Sequence, residues 1–321
     1  MKKKIILIAG DPNSINSEII YKTWQKINQH TKNQIFLIGN FSLIKKQLKI
    51  IKLNLPMIQV KKLDDKIISK KLKIINVPLN FKKPFDVSMK DARKYISKSF
   101  DLAHKLCKNK EVSGLINCPL DKRLISSTKI IGVTELLSSK NNIPTNSEVM
   151  LIHNKKISVV PLTTHMKIKN VSSCIKKGLI LKKIDTLRKG FKQVFNKDPK
   201  IAILGLNPHN AELIKDSEER KVISPAISML KKRGFKIKGP YSADTIFINK
   251  YKEFDVIVGM YHDQVLSPFK SLFHFDAINL TLGLKYLRVS PDHGPAKDLI
   301  YKKKANYQGL LTCIKFINKH N

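Results

Sequence analysis

The sequence predicts an α/β protein built on a largely parallel sheet with crossover helices. Three observations lead there. Short apolar runs such as Val256-Ile257-Val258-Gly259-Met260 recur without polar alternation, the pattern of strands buried on both faces. Stretches of helical length and periodicity separate them, and strand–helix alternation implies parallel pairing. Several runs end abruptly in a cluster of polar residues, and ligands bind just past the carboxyl ends of strands in open α/β sheets.

Taken in order, Lys4 to Ala9 reads as the first strand, and Gly10 to Ser14 as a turn. The start MKKKIILIAGDP has the basic residues of a secretory signal, but its apolar run is short and stops at Asp11-Pro12, so a strand is expected. Asn16 or Ser17 can cap a helix reaching about His30. Ile35 to Gly39 is the next strand, followed by a helix through Leu43 and Leu48. Met57–Val60 and Lys73–Val77 read as a more antiparallel excursion. Ser88-Met89-Lys90-Asp91 is a capping-box pattern opening a helix to about Leu106. A short strand, Gly114 to Asn117, runs into Cys118-Pro119-Leu120-Asp121-Lys122, and Gly132-Val133-Thr134-Glu135 starts another helix.

In the second half, Glu148–His153 and Lys156–Leu162 read as paired strands joined by Asn154-Lys155, and Val171–Phe195 as one long helix or two. Strand Ile201–Leu206 precedes a helical stretch from about Ala211 to Lys232. Gly239 to Asp244 is a strand-to-helix turn. After the run at Val256 a helix follows, with Pro268 near its start. Strand Ala277–Leu282 and the segment Tyr286–Ser290 come next, and Asp292-His293-Gly294-Pro295 turns into a C-terminal helix.

Composition narrows the partners. The 321 residues carry 61 Lys+Arg against 24 Asp+Glu, a net charge of +37, which favours anionic ligands. The lysines are spread along the whole chain with few aromatics between them, and no basic tail or zinc-finger spacing occurs. That distribution argues against a nucleic-acid role. No segment reaches transmembrane length. The four cysteines, Cys107, Cys118, Cys174 and Cys313, form no CxxC pair, so a reduced, cytoplasmic setting is expected.

Three apolar runs each deliver one histidine at the far end: Ile157–Leu162 leads to His165, Ile201–Leu206 to His209, and Val256–Met260 to His262. Each alone reads more readily as a loop or core histidine than as a ligand. Together they have the residue type and placement of a catalytic cation site, three protein ligands with one position open. Lys122, Lys270 and Arg288 lie near strand ends and as a group can hold a phosphate or carboxylate. Asp244 and Asp263 are candidate bases or partners that orient a histidine, and Asp244 equally fits a helix cap. The first loop, with Gly10 alone, lacks a dinucleotide fingerprint, and neither a GxSxG elbow nor a Walker loop is present.

The motifs GDPNSINSE, CPLDK, GVTELL, THMKIKNV, GLNPHNAE, GPYSADTIF, YHDQVLSPFK, AINLTLGL and LRVSPDHGPAKDL occur in an order that resembles the 4-hydroxythreonine-4-phosphate dehydrogenase family, from the first strand to the last helix. The resemblance implies an isocitrate/isopropylmalate-dehydrogenase-like fold of two α/β domains flanking a cleft. Residues 1–140 plus 285–321 are expected in the first domain and 141–284 in the second. It implies a homodimer with active sites at the interface, acting on a small phosphorylated substrate. The implied activity is oxidation of 4-phosphooxy-L-threonine with NAD or NADP, then loss of carbon dioxide to give 3-amino-2-oxopropyl phosphate for pyridoxal phosphate synthesis. It carries a divalent metal, zinc first and magnesium or cobalt after it, onto His165, His209 and His262. Substrate contacts fall on Thr134, Lys270, Asn279 and Arg288, and catalytic roles on Asp244 and Lys270.

The chain departs from the family pattern at three places. Val133 stands where the family has histidine, Asp121 where it has asparagine, and the first loop reads Asn13-Ser14-Ile15-Asn16-Ser17 in place of a glycine-containing segment. Two alternatives stand beside the first reading. One is a related dehydrogenase acting on threonate or erythronate 4-phosphate. The other, of a different class, is a non-catalytic polyanion-binding protein, motivated by the charge of +37.

Overall fold

The computed structural model of the chain describes residues 3–63, 70–125, 132–144, 146–274 and 276–320. In order, its elements are β1 (Lys4–Ile8), α1 (Asn16–Lys26), α2 (Gln29–Gln34), β2 (Ile35–Gly39), α3 (Phe41–Ile50), β3 (Met57–Val60), β4 (Leu72–Asn76), α4 (Met89–Cys107), β5 (Val112–Asn117), α5 (Val133–Lys140), β6 (Val149–His153), β7 (Ser158–Pro161), α6 (Val171–Cys174), α7 (Lys177–Phe195), β8 (Ile201–Leu204), α8 (Ser224–Lys232), β9 (Ile237–Tyr241), α9 (Ala243–Ile246), β10 (Val256–Gly259), α10 (His262–Phe273), β11 (Ile278–Leu282), β12 (Arg288–Pro291) and α11 (Gln308–Lys319). The chain divides into two compact units, Met1–Lys140 with Lys285–Asn321, and Asn141–Leu284.

In the first unit the strands run in the order β3-β4-β2-β1-β5-β12, each pair parallel. Every residue of β1 and β2 is buried, which is why both read as apolar runs after Lys4. The expected antiparallel excursion is corrected here. β3 and β4 pair parallel, with Met57 opposite Leu72, and β4 lies inside the sheet between β3 and β2. Burial on both faces explains its run of Leu72, Ile74 and Ile75. It also encloses Lys73, whose ammonium rests 4.2 Å from the Phe36 ring centroid and donates to Asn33 O at 2.5 Å.

Ser88 caps α4 at the predicted position: its Oγ accepts from Asp91 N at 3.1 Å and donates to Asp91 Oδ2 at 2.5 Å. Neither Asn16 nor Ser17 caps α1. Ile15 takes that position, and the Asn16 side chain donates instead to Ala9 O at 2.9 Å and Pro119 O at 2.8 Å, tying the β1 loop to the β5 loop. Gly10 makes this close approach possible. Its φ is +77°, and a Cβ there would fall 2.6 Å from Pro119 O. The helix expected to reach His30 ends at Lys26, and Asn28 caps the short α2 by accepting from Thr31 N at 2.9 Å. The C-terminal helix begins only at Gln308, after a single 3-10 turn at Lys297–Leu299.

The second unit carries the order β11-β6-β7-β10-β8-β9. The β6–β7 hairpin closes as expected, with Asn154 Oδ1 accepting from Lys156 N and Ile157 N, both at 2.9 Å. β11 pairs antiparallel with β6, whereas β7, β10, β8 and β9 are parallel neighbours. Val159, Ile257 and Ala202 from the three middle strands pack with Val265, Leu266 and Phe269 of α10 in one apolar core. The stretch from Val171 resolves into two helices, α6 and α7. α10 starts at His262 itself, so Pro268 lies in the helix interior rather than near its start. Among the described residues the four cysteines are free, and no helix is long and apolar enough to cross a membrane.

Candidate active site

β7, β10 and β8 lie side by side and parallel in the second unit, and each is followed at its carboxyl end by one of the three histidines. The β7 and β10 loops are stitched together. Leu162 N donates to Gly259 O at 2.8 Å, and Thr163 Oγ1 donates to Met260 O at 2.7 Å. The rings of His165 and His262 come close, with centroids 5.8 Å apart and planes tilted by 39°. Two imidazoles sharing one zinc, at Zn–N about 2.0–2.1 Å, place their centroids roughly 5 Å apart. His262 is the first residue of α10, and its Nδ1 donates to Asp263 Oδ1 at 2.8 Å. That bond fixes the tautomer and leaves Nε2 with a lone pair free for a cation.

His209 arrives differently. A helix was expected to begin near Ala211, but His209, Asn210, Ala211 and Glu212 all adopt left-handed backbone, with φ between 46° and 58°. Left-handed conformation costs an L-residue roughly 1–2 kcal/mol, so four in succession need support from outside the turn. Right-handed helix resumes only through a π-helical turn, Glu219–Ile223, leading into α8.

The donor set therefore suits a cation such as zinc in residue type and in the neighbouring pair His165–His262. Among the described residues, no three His, Cys, Asp or Glu side chains are gathered closely enough to hold an ion. The structure brings two of the three imidazoles together and sets His209 at the adjoining strand end.

The other expected residues of this unit lie on α9, α10 and β11. Asp244 lies exposed in the first turn of α9 and is not the cap, because Ser242 occupies that position. Ser242 Oγ donates to Asp244 Oδ1 at 2.7 Å and holds its carboxyl below the usual carboxylate range, with a smaller contribution from nearby His209. Lys270 is half-buried on α10. Asn279 lies on β11 opposite Ile152, and its Oδ1 is buried without a hydrogen-bond partner.

In the first unit, Arg288 opens β12 and is buried at 3% exposure. Its Nε donates to Asn117 Oδ1 at 2.9 Å, at the carboxyl end of β5. Burial pushes its guanidinium down to about 10, opposed by the nearby Cys313, Glu135 and Tyr286. Burial also lowers Lys122, again opposed by Glu135. Two cations thus lean on one carboxylate, leaving a positive balance that favours an incoming anion. Thr134 is buried beside Glu135 on α5, and the neighbouring Val133 is half-buried.

Asn117, Thr163, Gln264 and Glu219 hold groups at these strand ends, and the sequence alone assigns them no role. Glu219 had one available signal. Acidic residues are scarce in this chain, 24 against 61 basic, so the pair Glu218-Glu219 after a histidine-bearing turn stands out.

Comparisons with known proteins agree on one family. Residues 31–317 match the family model for pyridoxal phosphate biosynthetic protein PdxA. The chain is 35% identical over 327 residues to 4-hydroxythreonine-4-phosphate dehydrogenase from Aquifex aeolicus, covering 99% of this chain and 98% of that protein. It is 29% identical over 331 residues to D-threonate 4-phosphate dehydrogenase from Pectobacterium atrosepticum, covering 98% of each. The crystal structure of 4-hydroxythreonine-4-phosphate dehydrogenase from Klebsiella pneumoniae superimposes with a TM-score of 0.84 at 25% identity over 99% of both chains. A looser likeness to isocitrate dehydrogenase from Methylococcus capsulatus, TM-score 0.53 at 11% identity over 99% of this chain and 85% of that chain, bears on the fold alone and agrees with the expected fold class. The chain belongs to the PdxA family of pyridoxal phosphate biosynthetic proteins.

Proposed function

We propose that the protein is a dehydrogenase that oxidises the C3 alcohol of 4-phosphooxy-L-threonine with NAD or NADP and a divalent cation, zinc first and magnesium or cobalt after it. The β-keto acid formed then loses carbon dioxide to give 3-amino-2-oxopropyl phosphate. The observation that carries this reading is the placement of His165, His209 and His262 at three adjacent parallel strand ends, in a chain of this family.

In this reading the three imidazoles hold the cation, which supplies a Lewis acid that lowers the pKa of a coordinated hydroxyl. The nicotinamide, when bound, supplies the hydride acceptor. Asp244 takes the alcohol proton. Its low pKa keeps it ionised at neutral pH but makes it a weak base, so it needs an acidified alcohol as its partner. Lys270 and Arg288 hold the anionic groups of the substrate, Lys270 also facing the oxygen that gains charge as carbon dioxide leaves. The Thr134 hydroxyl offers a further contact. Asn279 Oδ1, buried and unpartnered, suits a substrate N–H or O–H donor.

The test is NADH formation from NAD and 4-phosphooxy-L-threonine by metal-loaded protein, and its loss in His209→Ala. Flat absorbance from folded, metal-loaded protein defeats the reading. A second reading, oxidation of threonate or erythronate 4-phosphate, is favoured by Val133 and by the likeness to a D-threonate 4-phosphate dehydrogenase. Comparing kcat/KM on substrates with and without the amino group separates the two.

We further propose a homodimer. Met166, Ile168, Ile214 and Ile248 are exposed large apolar residues, each a few positions after His165, His209 or Asp244. Apolar exposure concentrated next to a site supports contact with a second copy there. Light scattering that returns a monomer mass removes that proposal. The four free cysteines fit a reducing compartment, and we place the enzyme in the cytoplasm.

A further inference from the structure

The left-handed turn bearing His209 is held from behind by a carboxylate. Glu219 has 0% exposure. Its Oε1 accepts from Leu206 N at 2.7 Å and Asn207 N at 2.8 Å, and its Oε2 accepts from Asn207 Nδ2 at 3.0 Å. Asn207 Nδ2 also donates to Glu218 Oε2 at 2.9 Å. Glu219 opens the π-helical turn, whose wider winding follows directly on Glu218. Its partners among the described residues are N–H donors, with no Lys or Arg. A buried carboxylate satisfied in this way is costly to retain for stability alone, and the backbone it grips is the entry to the histidine turn.

A second brace joins this turn to the next strand end. Gln264 Oε1 accepts from Met260 N at 2.6 Å, and its Nε2 donates to Gly205 O at 2.7 Å. One side chain thus links the residue after β8 to the residue after β10, two positions along from His262. Gly205 leaves room for the whole arrangement, since a Cβ there would fall 2.2 Å from Asn210 Oδ1 and 3.0 Å from Glu219 Oε1.

We propose that Glu219 and Gln264 are positioning residues, which hold the His209 turn in its left-handed form and fix its spacing from His262 before any cation binds. The inference rests on the reading of His209 and His262 as cation ligands. The brace supplies an orientation that the turn's own backbone disfavours, and it acts through His209 rather than on the substrate.

The test uses the full chain and Co²⁺ as the probe, with residue-resolved amide exchange as a readout that needs no metal. In Glu219→Gln, exchange at Leu206 and Asn207 is expected to rise at least about 10-fold. Co²⁺ affinity is expected to fall about 10- to 100-fold, the range found when groups behind metal ligands are changed. The visible Co²⁺ bands at saturation should move toward those of His209→Ala. Gln264→Met keeps the side-chain volume, removes both bridging bonds, and stands in if Glu219→Gln does not fold. It should speed exchange at Met260 and weaken Co²⁺ to a similar degree. Wild-type exchange rates or wild-type Co²⁺ affinity in a folded variant overturn the proposal. Wild-type protein that takes up no Co²⁺ defeats the cation reading, and the exchange rates then decide alone whether the brace holds the turn.

Discussion

Asp263 Oδ1 accepts a hydrogen bond from His262 Nδ1 at 2.8 Å, so the ring that begins α10 is oriented by its own neighbour. Asp263 is largely exposed, with 73% of its side chain in solvent, which weakens its hold compared with a buried partner. Asp263→Asn is therefore expected to weaken Zn²⁺ binding by about 10-fold, the lower end of the range for such partners. Calorimetric titration of the full chain checks this, and unchanged affinity shows that Asp263 does not orient the ring.

Arg288 and Asn117 are hydrogen-bonded to each other inside the first unit. Leaving Asn117 Oδ1 without its donor costs about 1–3 kcal/mol, so Arg288→Met should lower Tm. KM for the phosphorylated substrate should rise at least about 100-fold, because the guanidinium that meets the anion is gone. A large fall in Tm with an unchanged KM would assign Arg288 to folding instead.

How much of this was legible in the sequence depends on the element. Val256–Gly259 and Ile201–Leu204 are buried on both faces, so each reads as an apolar run, and the first polar residues beyond mark the carboxyl end where His262 and His209 follow. Strand direction is another matter. Met57–Val60 and Leu72–Asn76 carry no pattern that separates parallel from antiparallel pairing, and only their neighbours in the sheet decide it. The turn after His209 was misread because Ala211 and Glu212 favour right-handed helix. Contacts from Glu219 and Gln264, distant in sequence, accompany a different conformation there. Pro268 misled in the same way, since α10 begins six residues earlier than a proline-led start suggests.

Asp121 stands where the family has asparagine, and it gives a pH test. Its carboxylate accepts from Arg123 Nη2 at 2.6 Å and from Arg123 N at 3.0 Å. The Arg123 side chain, above all, pulls its pKa from 3.8 down to about 2. A folded pKa below the unfolded one means stability that is fully present above the unfolded value and lost as pH falls through the folded value. The stability difference between wild type and Asp121→Asn should therefore be constant at neutral pH and shrink between about pH 4 and pH 2. Arg123 is exposed, so the difference is small throughout. Denaturant melts across that range check it, and a difference that grows on acidification contradicts the assignment.

At Gly190, α7 lies close against β11, where a Cβ would fall 2.8 Å from Leu282 Cβ. Alanine gains up to about 1 kcal/mol in helix propensity. Overpacking against an atom fixed to the backbone costs roughly 1–3 kcal/mol, and the contact is too short for a side chain to swing clear. Gly190→Ala should lose stability on balance, with Zn²⁺ affinity unchanged because no site residue is touched. A Tm at or above wild type would show that α7 can shift away at little cost.

Val133 carries the question of substrate. It is the first residue of α5, half-buried, beside the buried Thr134. An isopropyl group offers no hydrogen bond to a polar substrate, whereas the family's imidazole can donate or accept one. A single added hydrogen bond is worth about 0.5–1.5 kcal/mol, or roughly 2- to 12-fold in affinity. Val133→His should therefore lower KM for 4-phosphooxy-L-threonine by about that factor. The change in kcat should be small if the contact is equally strong in ground and transition states. The effect on the substrate without an amino group separates the two readings of function. If the valine belongs to a preference for threonate 4-phosphate, the histidine variant loses kcat/KM on that substrate while gaining on the aminated one. If it is a tolerated change in a 4-hydroxythreonine-4-phosphate dehydrogenase, the variant gains on the aminated substrate, and wild type already prefers it. Steady-state kinetics on both compounds, with wild type and variant loaded with the same metal, distinguish these outcomes. A variant whose KM rises on both would show that the pocket is already filled by Val133.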